Sequence, residues 1–586
     1  MATTTTSVLG ETDASALVAP NLYLPPTTLT ARFSNLRRNA WLQRIVSVLV
    51  VLAIWQIFGT DFTTSTPLAV FHAATQVLST EVFPALGATL ATFGIGFGIS
   101  IVAGIPIGLA MARIRVIRVV VEPYVNTFYS LPMVSLFPVL LLAFGIGFGL
   151  RIAATVLFGI FAVIVNTFIG ASSVDPSLED TAKVFVASPW KRLTTVILPA
   201  SLHYIFAGIR IAFGHGMIGA VVIELEASAV GVGYLLGQYG HSLRLDKFFT
   251  VVFVLGIFSI LAGIIMRRTE RALTEPWTRP KWLRPRAELV TMPAPRAAAV
   301  PSTTGAGHAI ATALAPVGRG LTAVGRGINT LARKRWGAVT IQIVVLLALL
   351  TWWQVASLSI SRAVLPSPIS LAIALFNQTF VTHSIFGPLW ESVSLLVVGF
   401  VCAVILGTIL GLAMGQFRWL SNVLDPYVQF LYALPHAVFI PVLVVWLGFG
   451  FSFGLGYVII SAIFPVMINA MQSVRSMKKE YPDVARSFNA SAWDTARTII
   501  WPHSIPYIAT GMRLAFSVSW IAVIVSEVLS SQQGLGGLIS VYGNQYKSAD
   551  MFVPVIYITV ISVVILQLST RLQPRLAPWA PSSLGR

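Results

Sequence analysis

The sequence has few charged residues for its length. Asp, Glu, Lys and Arg make up 10% of 586 residues, whereas soluble domains carry about a quarter. Uncharged apolar runs at 90–111, 152–171, 248–266 and 393–414 are about as long as a helix that crosses the hydrocarbon core of a bilayer. The composition therefore excludes a soluble globular protein and predicts an integral membrane protein.

The sequence also lacks the residues that several kinds of site require. Its single cysteine, Cys402, excludes a disulfide framework and a multi-cysteine metal site. The eight histidines are scattered, without the spacing that places two on one helix face. No Gly-Lys dipeptide occurs, so the Gly-rich phosphate loop of nucleotide-binding proteins is absent. We therefore expect no catalytic residue, no metal and no cofactor in this chain.

The formal charge of +18 does not indicate a nucleic-acid partner. The basic residues lie in the tails and between apolar runs, which is the distribution of the positive charges that orient a protein in a lipid bilayer. Residues 1–39 are rich in Thr and Pro and lack the features of a signal peptide. They are predicted to be a disordered cytoplasmic tail.

An internal repeat organises the chain. At a constant offset of 303 residues, EPYVNTFYSLP (122–132) matches DPYVQFLYALP (425–435). Other equivalent pairs are Asn166 with Asn469, Trp190 with Trp493, Pro199 with Pro502, Arg210 with Arg513, and Glu224 with Glu527. We expect two copies of one domain, at 40–270 and 333–575. A basic Pro/Ala/Arg-rich linker (271–332) with a short amphipathic segment near 306–331 joins them, and a tail (576–586) follows.

Each copy is predicted to contain six membrane-spanning helices. Hydropathy places them at about 41–59, 88–111, 133–149, 152–171, 203–225 and 248–266, and at 338–357, 392–414, 437–453, 454–472, 504–527 and 550–568. Lys and Arg in the short loops put both termini and the linker on the cytoplasmic side. The predicted fold is therefore all-α and integral to the membrane, with about 12 spans in two parallel six-helix repeats.

A polar stretch separates the fourth and fifth spans of each copy, at 174–200 and 477–503. Each stretch is predicted to form two short helices separated by Ala-Ser. Asp175 precedes Pro176, and acidic residues follow in the first turn, which is typical of a helix N-terminus. A simple bundle would not need these paired loops.

These loops resemble the coupling loop of ABC-importer permeases. The family pattern is an acidic residue, two Ala-like positions, a Gly, and then Ile-x-Leu-Pro. Val186 and Asn489 stand at the Gly position, and Trp501 replaces the Leu. The residues that match the pattern or follow it directly are Asp180, Ala182, Ala187, Ser188, Asp483, Ala485, Ala490 and Ser491. ASPW and ASAW, AGIRIAF and TGMRLAF, and a Glu followed by Gly-x-Gly after the fifth span resemble the nitrate/sulfonate/taurine permeases.

The resemblance implies a function and a set of partners. Residues 177–190 and 480–493 would be coupling helices that insert into two copies of a separate ATPase subunit. Cargo, a small anion or a vitamin precursor, would arrive from an extracytoplasmic binding protein. The chain would lie in a bacterial inner membrane, with one copy supplying both halves of a transporter.

Polar residues inside the spans are candidate pathway or structural groups. Arg210 and Arg513 are expected to bond carbonyl groups near the helix starts at Pro199 and Pro502, or to contact substrate. Glu224 and Glu527 fall near the outer ends of the fifth spans, where hydration or contact with an outer partner is expected.

The bends before the third spans supply candidate gate residues, because irregular backbone in a membrane lines cavities. Leu131, Pro132, Leu434 and Pro435 are these candidates. His215 and His436 join them because Val518 and Met133 stand at the equivalent positions, so the two halves differ where a pore could select cargo.

Two other classes of protein share part of this description. A self-sufficient secondary transporter also has twelve spans in two halves, but it needs an acidic ion-coupling residue at mid-membrane. An integral-membrane enzyme needs a metal or nucleophile constellation. Neither feature is found in the sequence.

Overall fold

The computed structural model describes residues 40–59, 64–278, 335–361, 364–478, 480–530 and 533–576. The predicted N-terminal tail, the linker segment near 306–331 and the tail after 576 lie outside these residues. Every secondary-structure element of the described chain is helical.

The first half contains eleven described helices. They are α1 (Ala40–Phe58), α2 (Pro67–Val77), α3 (Phe83–Arg113), α4 (Arg115–Ser130), α5 (Phe137–Phe144), α6 (Phe148–Ser172), α7 (Pro176–Val184), α8 (Pro189–Arg192), α9 (Leu198–Ala227), α10 (Val232–His241) and α11 (Leu245–Thr278).

The second half repeats this order. Its helices are α12 (Arg335–Ser359), α13 (Pro368–Phe376), α14 (Phe386–Gln416), α15 (Arg418–Ala433), α16 (Ile440–Leu447), α17 (Phe451–Arg475), α18 (Glu480–Ser487), α19 (Ala492–Thr495), α20 (Trp501–Ser530), α21 (Gly534–Asn544) and α22 (Ser548–Leu576).

The membrane spans agree with the predicted number. Among the described residues, ten helices are long and apolar enough to cross a bilayer, and each half adds one bent pair, which makes up to twelve. The third span differs from its prediction at 133–149. Helix α4 meets the segment Met133–Phe144 at 98°, because Leu131 is extended (φ −74°, ψ 132°) and Pro132 has no backbone N–H to continue the helix.

Small residues bring α3 against α6. A β-carbon added to Gly96 would lie 2.7 Å from the Thr155 side chain, and one added to Gly104 would lie 2.9 Å from Val163. Gly96 and Gly104 therefore lie on the packing surface of α3, as small residues in membrane helices commonly do. Gly145 and Gly448 have positive φ (64° and 69°) at the turns after α5 and α16, a backbone conformation that glycine adopts without steric cost.

The two halves exchange their first helices. Helix α1 packs on α15 of the second half, and α12 packs on α4 of the first half. The Ser47 hydroxyl donates to the Val423 carbonyl at 3.2 Å, and Arg44 lies 3.8 Å from the Asp425 carboxylate. The contact of α12 with α4 includes a hydrogen bond of 3.1 Å, which the Gln342 side-chain amide donates to the Val119 carbonyl. Each half is therefore completed by a helix from the other.

The apolar core is distributed unevenly along the molecule. We call the end that carries the loops 173–197 and 476–500 the proximal end, and the opposite end the distal end. One distal core joins both halves and includes Met133, Val134, Ala437 and Val438. Near the proximal end the buried clusters belong to one half each, around Met111 in the first and Met414 in the second. The halves thus share one apolar core distally and have separate buried clusters near the loops, where α1 and α12 still cross between the halves.

Candidate functional site

The two proximal loops, 173–197 and 476–500, have the predicted form. Each contains two short helices separated by Ala-Ser: α7 and α8 in the first, α18 and α19 in the second. We call them polar loop 1 and polar loop 2. A π-helical turn, Leu193–Ile197 or Ala496–Ile500, leads from each loop into the fifth span.

Side-chain caps fix the helix starts of polar loop 1. The Asp175 carboxylate accepts a hydrogen bond of 2.8 Å from the Ser177 backbone N–H, and Pro176 occupies the first helical position. This bond holds the pKa of the Asp175 carboxyl below its ordinary value. The Ser188 hydroxyl accepts from the Lys191 N–H at 3.2 Å. Capping by Asp and Ser satisfies backbone donors that a helix start leaves free, so the loop has a defined shape.

Both loops turn at a residue with left-handed backbone. Val186 has φ 53° and Asn489 has φ 52°, and these are the two positions where the permease pattern has Gly. The N–H of Ala187 bonds the Ala182 carbonyl, and the N–H of Ala490 bonds the Ala485 carbonyl, both at 3.0 Å. This is the bond pattern of a Schellman helix end. A β-branched residue is unfavourable there, so Val186 is strained.

Large apolar side chains project from both loops at equivalent positions. Phe185 and Phe488 are 78% and 82% exposed, and Trp190 and Trp493 are each 72% exposed. The 303-residue repeat pairs the two tryptophans, whereas the two phenylalanines were not among the predicted loop residues. Their signal was present in the sequence as an apolar residue at the same register of two otherwise polar stretches.

The predicted loop residues are all near this apolar surface. Asp180, Ser188, Asp483 and Ser491 are exposed; Ala182, Ala187 and Ala490 are half-buried; Ala485 is buried. Polar loop 1 is also tied to the membrane domain, because Arg113 at the end of α3 bonds Glu179 at 2.7 Å and the Ala171 carbonyl at 3.1 Å. Gln416 and Pro482 stand at the equivalent positions in the second half.

Glu224 and Glu527 are buried, so the expectation that they are hydrated or exposed to an outer partner is wrong. They are 0% and 3% exposed. Glu224 accepts from Thr89 at 2.7 Å and from the Gly233 N–H at 3.1 Å. Glu527 accepts from Ser392 at 2.8 Å and from the Gly536 N–H at 2.9 Å. Each carboxylate holds the start of a short distal helix, α10 or α21, to its own half.

The neighbours of these two carboxylates differ. Arg151, 7% exposed, lies 3.7 Å from Glu224. Gly454 stands at the equivalent position, and Glu391 of the second half instead accepts from the Gly534 N–H at 2.8 Å. Equivalent helix caps thus have a basic neighbour in one half and a second acidic neighbour in the other.

The predicted gate residues lie at the contact between the halves. Leu131 and Leu434 are 5% and 2% exposed, and Pro132 and Pro435 are buried. The turn Met133–Leu136 packs against α20, and the turn His436–Phe439 packs against α9. His436 is half-buried and stacks on Phe464, with ring centroids 6.2 Å apart. His215, also half-buried, lies on α9.

Short distal helices seal the same contact in a way that the sequence did not indicate. Gly240 of α10 meets Pro441 of α16, and Gly543 of α21 meets Pro138 of α5. A β-carbon on Gly543 would lie 2.9 Å from the Pro138 β-carbon. These close approaches join elements more than a hundred residues apart, so no local pattern could reveal them.

Arg210 does not bond carbonyl groups near Pro199. Its guanidinium forms an ion pair with Glu270 of α11, whose carboxylate also lies 3.0 Å from His203 Nδ1. Gln573 stands where the second half would need the equivalent carboxylate. Arg513 lies on α20 and is half-buried.

Known proteins resemble part of the chain. A taurine transport system permease protein of Escherichia coli is 29% identical over 248 residues, 41% of this chain and 90% of the relative. A protein of Bacillus subtilis named for aliphatic sulfonate transport is 26% identical over 254 residues, 43% of this chain and 92% of the relative. A bicarbonate transport system permease protein of Synechococcus elongatus is 29% identical over 245 residues, 40% of this chain and 87% of the relative.

The family model matches the chain twice. The matches cover residues 104–275 and 403–580, which are the same parts of the two structural repeats. Together they include more than half of the sequence. The chain therefore belongs to the family of binding-protein-dependent transport system inner membrane components, and it carries two permease domains of that family in one polypeptide.

Proposed function

We propose that this chain supplies both membrane halves of an ATP-driven importer and that polar loops 1 and 2 each dock one copy of a separate ATPase. The observation that carries the proposal is the pair of equivalent apolar projections, Phe185 with Trp190 and Phe488 with Trp493. Aromatic side chains exposed on a polar loop are typical of a protein-binding surface.

The likeness of the two loops supports two copies of one ATPase. Both loops have the same helix break, the same left-handed residue and the same aromatic positions. Two identical grooves would accept these two shapes. Movement of an ATPase pair would then reach α9 and α20 through the π-helical turns that begin the fifth spans.

The charge distribution supports the sidedness of the proposal. Arg113, Arg115, Arg118, Lys183 and Lys191 cluster at the proximal end, and positive residues favour the cytoplasmic side. We therefore propose that both termini and the ATPase lie on the cytoplasmic side. An extracytoplasmic binding protein would deliver cargo at the distal end.

The relatives support a small oxyanion or zwitterion as cargo. Their names refer to taurine, sulfonates and bicarbonate. These solutes share a compact group of anionic oxygens. The same chemistry is proposed for the cargo of this chain.

Affinity purification of the tagged chain from its native membrane in mild detergent, followed by mass spectrometry, tests the proposal. We expect to recover an ATPase subunit that carries a phosphate-binding loop. A chain that comes without an ATPase and still transports taurine, ethanesulfonate or bicarbonate in liposomes would establish a self-sufficient secondary transporter instead.

A further inference from the structure

The carboxylate of Asp425 on α15 is shared by two arginines from distant parts of the chain. Asp425 is buried, and its carboxylate lies 3.8 Å from Arg44 of α1 and 3.5 Å from Arg475 of α17. Ser421, one turn earlier on α15, donates to the same carboxylate at 3.3 Å and accepts from Arg475. We call these four residues the Asp425 cluster. It joins three helices, of which α1 belongs to the other half.

Arg475 is part of a unit that includes polar loop 2. It is the last residue of α17, and the loop begins at the next residue. Two side-chain bonds hold the end of α17 against the start of α20, which follows the loop. Ser473 donates to Ser504 at 2.8 Å, and Ser476 donates to the Tyr507 hydroxyl at 3.0 Å. The two ends of the loop are therefore fixed to each other, and a movement of the loop would carry Arg475 with it.

Asp425 belongs to a different unit, which leads to the bend between α15 and α16. It lies ten residues before Pro435 on α15. The turn that follows the bend, His436–Phe439, packs against α9 of the first half. Helix α1 also packs on α15 and adds Arg44 to the cluster. A pull on Asp425 would therefore act on the bend and on α1 together.

Polar loop 1 is attached to the membrane domain in another way. The first half has an acidic residue, Glu122, at the position of Asp425, but Ser172 stands where the second half has its arginine at the end of α17. Polar loop 1 is instead held to the end of α3, through the bond of 2.7 Å from Arg113 to Glu179. The two loops thus contact different elements of their halves.

We propose that Asp425 is a positioning residue that transmits the movement of polar loop 2 to the bend at Pro435 and to α1. A buried carboxylate between two guanidinium groups is screened less by salt than an exposed ion pair, so the contact persists at physiological ionic strength. Polar loop 1 acts on α3, so two copies of one ATPase move different elements. This role rests on the proposed function, because it assumes that an ATPase moves the loops.

Hydrogen exchange of the full chain in lipid nanodiscs tests the Asp425 cluster without an ATPase. We expect Asp425→Asn to speed amide exchange roughly five-fold in the peptides covering 470–478 and 40–47, which is the usual effect of losing one partly exposed ion pair. Both arginines lose their partner in this variant. Glu122→Gln is the matched control, and it should leave exchange in these peptides and in 167–175 unchanged.

A double variant separates the ion pair from a general loosening of the fold. Arg475→Gln alone should also speed exchange at 470–478, and adding Asp425→Asn should then change it little, because two residues in direct contact do not act additively. Arg475→Lys should stay close to the unsubstituted chain. Size-exclusion profiles report folding, and the Arg475 variants test the pair even where Asp425→Asn does not fold.

Three exchange results would overturn the Asp425 cluster. They are an unchanged rate at 470–478 in Arg475→Gln, additive effects in the double variant, and an equal change at 470–478 in Glu122→Gln. Each is measured on the chain alone. A chain with the expected exchange pattern that recovers no ATPase from its native membrane keeps the cluster and loses the proposed function.

The transmission itself is measured on the chain purified with its ATPase and reconstituted in liposomes. Uptake is followed with taurine, ethanesulfonate or bicarbonate, whichever the unsubstituted complex transports. Asp425→Asn should still co-purify with the ATPase and should lower the solute taken up per ATP hydrolysed roughly five-fold or more, the lower end of typical coupling effects. Glu122→Gln should keep that ratio. An unchanged ratio in Asp425→Asn would show that Asp425 holds the loop without transmitting its movement, and would overturn the proposal.

Discussion

At the residue scale, Gly231 and Gly534 occupy positions where a side chain does not fit. Their φ values are 110° and 71°, and an added β-carbon would overlap the carboxyl group of Glu224 or Glu527. We predict that Gly231→Ala lowers the free energy of unfolding by about 2 kcal/mol or more, from backbone strain and the lost helix cap. Thermal denaturation in detergent, followed by size exclusion, measures the change.

Gly98 provides the control for this substitution. It lies in α3 with no atom within 4 Å of an added β-carbon. Gly98→Ala should keep or raise stability, because Ala is the better helix former by about 1 kcal/mol. Equal losses in Gly231→Ala and Gly98→Ala would contradict the assigned role of the Gly231 backbone.

The strained turn of polar loop 1 gives a second prediction at this scale. Val186→Asn installs the residue that stands at the equivalent position of polar loop 2, and Asn tolerates the left-handed conformation better than Val. We expect α7 to gain about 1 kcal/mol of local stability. Amide hydrogen exchange of the peptide covering 177–187 should slow, while Asn489→Val should speed exchange in α18. An unchanged rate in both loops would argue against the strain.

The sequence predicted the chemistry of the polar residues better than their surroundings. Glu224 and Glu527 were singled out correctly as paired polar groups, but their burial follows from the Gly-x-Gly segment folding back onto the fifth span. Hydropathy along a helix does not indicate that a later segment folds back onto it. A structural role was one of the two expectations for Arg210. Its partner, Glu270, is 60 residues away in the chain, so the sequence did not identify it.

At the element scale, the polar loops should couple the membrane domain to the ATPase. Ala187 and Ala490 lie half-buried beside the exposed aromatic residues. Ala187→Glu or Ala490→Glu would place a charge in the proposed docking groove of the ATPase, where the desolvation of that charge is costly. We expect ATPase co-purification and uptake to fall at least ten-fold while the chain stays in the membrane. Ser242→Glu, an exposed change at the distal end, should leave ATPase assembly intact. Normal assembly and uptake in both loop variants would count against the docking assignment.

The contact between α10 and α16 makes a separate prediction. Gly240→Ala places a methyl group against Pro441 of the other half and should destabilise the chain by about 1–3 kcal/mol, the usual cost of overpacking. Gly237→Ala on the same helix meets only ordinary contacts, at 3.7 Å or more, and should be tolerated. Melting temperatures of the two variants distinguish this contact from a general effect of alanine in α10.

Long apolar elements were the easiest to predict, and bent or short ones the hardest. Hydropathy located five spans in each half, although α11, predicted at 248–266, extends to Thr278. The third span was placed only at 133–149, because α4 is amphipathic and carries Arg115 and Arg118. Hydropathy does not recognise such a helix, and the bend at Pro132 divides the rest into a short helix.

At the scale of the whole molecule, the halves should assemble without a covalent link. We predict that residues 1–300 and 301–586, expressed together as two chains, co-purify through a tag on the first. The shared distal core and the exchanged helices α1 and α12 bury apolar surface that each half alone would expose. Either half expressed alone should be recovered in much lower amount. Recovery of each half alone at normal yield, without association, would contradict this expectation.

The 303-residue repeat predicted two parallel halves but not the exchange of their first helices. Contacts between halves leave no periodic trace in a sequence, and most residues of α1 and α12 are apolar. The pairing of Arg44 with Asp425 could be recognised only when the two segments were placed side by side.

The exchange of helix α1 also determines an order of events during biosynthesis. Ser47 and its acceptor Val423 are 376 residues apart in the chain, so at ribosomal rates of about 5–20 residues per second the partner emerges roughly 20–75 s after α1. During that interval Gln43, Arg44 and Ser47 face lipid or another protein. The first helix of this chain is thus inserted early and docked late, and an insertion chaperone or lipid that shelters its polar face would act in that interval.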